Sequence, residues 1–147
     1  VHTYPKLVLN QAQATCTDTI HRVKLRKGTP GHVVAAAFLN SLTFAFSEVM
    51  GRSYGGGVLE LEPNEAERLP LPLRGADTLD LTTLDHMLRK GPVSSVLDVT
   101  DEVLLRRGLG MSTDDILTLR GVWEKLRDRR INRKPERSRS TTVRVPA

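Results

Sequence analysis

Apolar and polar residues recur along the chain with periods that assign most of it to regular structure. Residues 6–9 (Lys-Leu-Val-Leu) and 19–26 (Thr-Ile-His-Arg-Val-Lys-Leu-Arg) combine β-branched side chains with partial alternation, which predicts two short, half-buried strands. Thr29-Pro30 then predicts a helix start, because Thr can cap and Pro suits the first helical position. That helix is expected to run to about Met50 and to stop at Gly51. Val33, Val34, Ala35 to Ala37, Phe38, Leu39, Leu42, Phe44, Ala45, Phe46 and Val49 make it apolar on most faces, so it is predicted to be a buried central helix.

Beyond it the punctuation changes. Gly55-Gly56-Gly57 reads as a turn and residues 58–61 as a strand. Residues 63–68 suit one or two helical turns, and the prolines of Leu69-Pro70-Leu71-Pro72 force an extended exit. Three amphipathic helices follow. The first carries Leu81, Leu84, Met87 and Leu88; the second Val96, Val99, Val103 and Leu104. The third runs from Ser112 to about Arg130 with Ile116, Leu119, Trp123 and Leu126 on one stripe and Ser112/Asp115 as a variant capping box. The predicted fold is α+β: a small sheet packed on a buried central helix, then a carboxy-terminal three-helix segment. The expected divisions are an α/β portion (1–75), a helical subdomain (76–132) and a basic, disordered tail (133–147).

Charge sharpens this division. The 147 residues hold 22 Lys+Arg against 17 Asp+Glu, a net charge of +5. Residues 127–147 hold eight basic and two acidic residues (+6), and residues 1–56 hold six and two (+4). Residues 57–126 hold eight basic and thirteen acidic residues (−5). The two basic sections point to nucleic acid, whereas the acidic middle suits contact with another protein surface.

Little in the sequence resembles a catalytic centre. The single Cys16 excludes a disulfide framework and favours a reducing, cytoplasmic setting. Its neighbours Thr15, Thr17 and Asp18 would not stabilise a thiolate. The four scattered His lack zinc-ligand spacing, and Glu60, Glu62, Glu65 and Glu67 read as surface charge. There is no phosphate-cradling loop, nucleophile elbow or His-Glu-x-x-His motif. The longest apolar run, residues 33–39, is far too short to span a membrane. The chain opens on Val1 rather than Met, and is expected to be a piece of a longer protein.

Two clusters can contact DNA. On an extended strand Arg22, Lys24 and Arg26 would share one face, with Lys27 beside them, and could meet successive phosphates. Arg52, Ser53, Tyr54, Gly55 and Gly56 join a cation able to pair with guanine to glycines that let a ligand approach the backbone.

Asp18 to Val23 (D-T-I-H-R-V) and residues 38–72 resemble the carboxy-terminal region of adenine-specific (N6) DNA methyltransferases of restriction-modification systems, the type in which target recognition follows catalysis. The resemblance rests on Leu39-Asn40-Ser41, Gly51-Arg-Ser-Tyr-Gly-Gly-Gly57, the strand after it, the acidic turn at 64–68 and Leu69-Pro-Leu-Pro72. It implies a target-recognition domain that grips double-stranded DNA beside a catalytic methyltransferase domain or subunit. The polar-Pro-Pro-aromatic motif of the catalytic half is absent from this chain, as is a cofactor-binding glycine motif. S-adenosylmethionine is thus expected only in the parent protein, and the chain alone is expected to be inactive. The alternative is a protein-interaction module that docks onto a methyltransferase or restriction subunit.

Overall fold

A computed structural model describes residues 3–133 of the chain. The expected tail disorder falls outside the described residues, apart from Arg133. The described residues form a mostly helical α+β structure: α1 (Gly31–Ala37), α2 (Ser41–Met50), β1 (Arg52–Tyr54), β2 (Val58–Glu60), α3 (Pro63–Ala66), α4 (Leu81–Lys90), α5 (Val93–Asp101) and α6 (Thr113–Ile131). A π-helical segment, Glu102–Gly108, continues α5.

The predicted central helix is two helices, bent by 76°. Asn40 makes the break. Its backbone is extended (φ −156°, ψ 159°), and its Oδ1 accepts from the Thr43 amide at 2.8 Å, capping α2. Its Nδ2 donates to Ala37 O at 2.6 Å and to Thr43 Oγ1 at 2.7 Å, tying the end of α1 to the start of α2. Apolar periodicity cannot register such a break, because the residues on both sides remain buried. Thr29 is not the cap of α1; Pro30 occupies that position and no side chain caps the helix. The outer face of α2 also departs from the prediction, with Phe46 and Val49 exposed.

The predicted strands at 6–9 and 19–26 do not form. Among the described residues the only sheet is the antiparallel pair β1–β2, in which Arg52 faces Glu60 and Tyr54 faces Val58. A strand is stabilised by its ladder and cross-strand neighbours, and alternation alone supplies neither. The segment from Tyr4 to Lys27 instead crosses the surface, attached at three points. Tyr4 stacks on Phe44 (centroids 5.6 Å apart). Leu9 and Leu25 converge on the space over Gly31, where an added Cβ would lie 2.8 and 3.5 Å from their methyls. His21 Nε2 hydrogen-bonds Leu61 O at 2.7 Å, immediately after β2.

The three predicted carboxy-terminal helices form as α4, α5 with its π-helical extension, and α6. Ser112 caps α6, its Oγ accepting from the Asp115 amide at 3.1 Å. The stripe residues Leu84, Val96, Leu104, Ile116 and Trp123 are buried, while Val99 is exposed. These helices close over α1 and α2: α1 lies against α4, and α2 packs along α6. One buried cluster therefore includes Ala36, Phe44, Leu97, Leu105 and Trp123. The hairpin rests on the end of α6 and is tied through Arg130 to Glu48 of α2.

Asp101 locks this arrangement. It accepts from the Ser41 amide at 2.8 Å and the Ser41 hydroxyl at 2.6 Å, placing a carboxylate at the positive end of α2. Arg120 of α6 donates to the same carboxylate at 2.8 Å. The Leu39-Asn40-Ser41 motif is thus structural: Asn40 breaks the helix and Ser41 fastens it to α5 and α6.

Candidate nucleic-acid interface

The hairpin presents one of the two sequence-predicted clusters. Arg52, Ser53, Tyr54, Gly55 and Gly56 are all exposed, with Tyr54 49% accessible. The connecting turn falls at residues 55–57, where the three glycines predicted it, and residues 52–54 before it pair as a strand.

The glycines fall into two groups. At Gly57 (φ +72°) a Cβ would stand 2.9 Å from Ile131 Cα, so this glycine permits the close approach of the hairpin to α6. A Cβ on Gly51 would meet the Leu59 methyl and Ser47 O, both at 2.7 Å. At Gly55 and Gly56 nothing lies within 4 Å of an added Cβ, and only Gly56 has positive φ (+76°). The backbone of the tip is therefore open to an incoming ligand.

Beneath the hairpin lies a buried ion pair. Arg130 near the end of α6 donates from Nε to Glu48 Oε2 at 2.9 Å and from Nη2 to Glu48 Oε1 at 2.6 Å. Its Nη1 also donates to Gly57 O. The two side chains are 3% and 2% exposed. This bidentate geometry fixes the hairpin to α2 and α6 at once. Trp123 packs nearby in the core, tilted against Phe44 at 5.1 Å, with the Arg127 guanidinium 4.6 Å from its ring centroid.

Arg52 is held from the other side. Its Nε lies 3.1 Å from Glu65 Oε1, and the Glu62 amide donates to the second Glu65 oxygen at 2.8 Å. The capping box of α3 thereby orients the carboxylate that holds Arg52. Glu65 raises the guanidinium pKa above its ordinary value, with a hydrogen bond to Tyr54 contributing. The pair is solvent-exposed and correspondingly weak, so Arg52 is free to exchange Glu65 for a stronger anion.

Arg22, Lys24, Arg26 and Lys27 are exposed, but no strand aligns them on a common face. The His21–Leu61 bond brings the start of this cluster to the foot of the hairpin. Two further cations, Arg129 and Arg133, line an open cleft of about 210 Å³ together with Ser53, Gly51, Leu59, Leu126 and the Glu48–Arg130 pair. In the sequence they are part of the basic stretch at the carboxy terminus. Their closeness to Ser53 arises from packing between segments far apart along the chain, for which no local signal exists.

The cleft does not suit S-adenosylmethionine. It is smaller than a typical cofactor pocket of about 300–1,000 Å³, and three arginines against one already paired glutamate would repel a cationic sulfonium. Among the described residues no group of His, Cys, Asp and Glu could hold a metal ion. No single helix there is long and apolar enough to cross a membrane, and the bent pair α1–α2 that approaches the required length is core.

The comparisons with curated proteins and with solved structures found no match to the chain. Residues 1–105 match the family described as type II methyltransferase M.Eco57I, C-terminal domain. The match includes α1 to α5, the hairpin and the basic amino-terminal segment, and ends before α6. With more than two thirds of its length matched, the chain belongs to the family of carboxy-terminal domains of M.Eco57I-type restriction-modification methyltransferases.

Proposed function

We propose that this chain is the target-recognition domain of a site-specific adenine-N6 DNA methyltransferase, holding duplex DNA while a separate catalytic half, which binds S-adenosylmethionine, transfers the methyl group. An enzyme that acts on an adenine must take the base out of the stack, and a second body gripping the duplex keeps the substrate in place. The observation that carries this reading is the exposed hairpin tip, open at Gly55 and Gly56, within a domain of a DNA methyltransferase family.

In this reading residues 52–56 reach into a groove. Arg52 pairs with guanine or phosphate, Tyr54 packs on sugar or base, and Ser53 and the glycine backbone approach closely. Arg22, Lys24, Arg26 and Lys27 contact phosphates along one strand. Residues 1–75 are the recognition portion and residues 76–132 the helical support behind it.

The test is duplex binding by the 147-residue chain over a series of salt concentrations. Changing Arg22, Lys24 and Arg26 together to Ala is expected to reduce the slope of log K against log salt by about 0.9 for each phosphate that is no longer neutralised. Arg52→Ala is expected to weaken binding to the cognate site more than to unrelated duplex. Unchanged slopes in the triple variant would remove the amino-terminal segment from the interface.

A second reading, docking onto the catalytic half, is favoured by one observation. Val8, Ile20 and Val23 are 76%, 60% and 58% exposed on a segment that forms no sheet. Apolar residues with strand-like spacing and no ladder are suited to adding a strand to a neighbouring sheet edge. Binding of the chain to the isolated catalytic half, abolished by Ile20→Asp with Val23→Asp, would support this second role. No binding to that half would exclude it.

A further inference from the structure

We propose that the cleft between the β1–β2 hairpin and the end of α6 seats a phosphate group of the DNA backbone, with Arg129 and Arg133 as its cationic ligands and the Ser53 hydroxyl as a third donor. The proposal rests on the duplex-binding reading above and adds to it a phosphate contact from α6, beyond the part of the chain that the family match includes.

Four features support it. First, the cleft gathers three arginines and one acid, and the acid is spent: Glu48 is bidentate to Arg130, and both are buried. The pair contributes a rigid, nearly neutral floor, and the charge that remains for a ligand is that of Arg129 and Arg133. Second, neither of these two has an acidic partner among the described residues, and both are exposed. Other arginines of the helical part are engaged: Arg89 with Asp85, Arg106 and Arg107 with Glu102, Arg120 with Asp98 and Asp101, Arg127 with Asp128. Third, the backbone of Arg133 turns back on the helix end, its amide donating to Arg130 O at 3.4 Å just after the C-cap Asn132, which places this residue beside Arg129 at the cleft. Fourth, Ser53 belongs to both the cleft and the hairpin. A phosphate held there would lie beside the exposed residues assigned to the groove, so one nucleic-acid strand could satisfy both. A phosphate oxygen accepts well from guanidinium forks and from a hydroxyl, and this donor set contains no competing free carboxylate.

The experiment measures duplex affinity of the 147-residue chain across a salt series, for the unaltered chain and for Arg129→Ala with Arg133→Ala. Losing the one phosphate contact that the two arginines share predicts a slope smaller by about 0.9. A charge-matched control, Lys90→Ala with Arg106→Ala, removes two cations elsewhere and is expected to leave the slope unchanged. Ser53→Asp places a carboxylate in the cleft without touching α6. It is expected to weaken binding at least tenfold at low salt; because Ser53 also belongs to the groove-facing hairpin, the single variants Arg129→Ala and Arg133→Ala, both at exposed positions and each expected to reduce the slope, keep the test decisive if the double variant folds poorly.

An equal reduction in the control and the double variant would mean that bulk charge is responsible and would overturn the site. An unchanged slope in the double variant, with a reduced slope in the Arg22/Lys24/Arg26 variant, would overturn the cleft and leave the duplex reading standing. A chain that binds no duplex would overturn both. The source of the phosphate is separated by following the Arg129 and Arg133 Nε–H resonances: shifts with inorganic phosphate but none with duplex would overturn the backbone as ligand.

Discussion

Removing either partner of the Glu48–Arg130 pair is expected to be among the most damaging single changes in the molecule. Both side chains are at least 97% buried, and two charge-assisted hydrogen bonds of 2.9 and 2.6 Å join them. Glu48→Ala takes the bidentate Glu48 carboxylate away from a buried guanidinium, and Arg130→Ala leaves a buried carboxylate without its guanidinium. Breaking a pair of this kind costs about 3–5 kcal/mol, because the surviving charge keeps its desolvation penalty and loses its compensation. Against a total stability of about 5–15 kcal/mol for a domain, either variant should lose much of its folding free energy. The assay is urea unfolding followed by the fluorescence of Trp123, the only tryptophan, which is buried against Phe44. The midpoint should fall while the m-value stays constant. Replacing both residues by Met should cost much less than the sum of the single changes, since no unpaired charge remains. Single variants that cost less than about 1 kcal/mol would show that water reaches the pair and would refute the argument from burial. A double variant as unstable as the summed singles would refute the argument from charge.

The remaining predictions concern the hairpin and the caps. Gly57→Ala should destabilise by about 1–3 kcal/mol, from positive φ and the clash with Ile131, whereas Gly55→Ala should change stability by less than about 0.5 kcal/mol yet weaken duplex binding; melting curves and affinities read both. Asn40→Ala should cost about 2 kcal/mol by chemical denaturation, because it removes the cap of α2 and leaves Ala37 O without its side-chain donor. Asp80 caps α4, and hydrogen bonds from the Thr83 hydroxyl and then the Thr83 amide hold its carboxyl below the usual range. A carboxyl whose folded pKa is depressed stabilises the fold above its unfolded value, and that contribution is lost as pH falls through the folded one. The stability difference between the unaltered chain and Asp80→Asn should therefore be fullest near neutral pH and shrink below about pH 4; a difference independent of pH would show that the cap carries no charge.

Local signals were legible wherever structure depends on neighbours along the chain. The stripe Ile116, Leu119, Trp123 predicted α6 and its buried face, Ser112 predicted its cap, and the glycines at 55–57 predicted the turn. The exposed set Arg52 to Gly56 was visible in composition because cations and glycines suit solvent and tight turns. The family was legible too, in the order of short motifs across residues 18–72.

What the sequence could not decide was set by partners distant along the chain. The alternation at 6–9 and 19–26 specifies a strand only if a ladder is available, and the described residues offer none. The apolar run at 33–49 reads as one helix because hydrophobicity is continuous through it. Only the bonds of Asn40 and the capture of Ser41 by Asp101, sixty residues away, turn it into two. Arg129, Arg130 and Arg133 look alike in a basic stretch. Tertiary packing buries Arg130 against Glu48 and leaves the other two lining a cleft beside Ser53. Composition determines how much charge the chain carries, but only the fold determines which charges are neutralised in the core and which remain to meet a ligand.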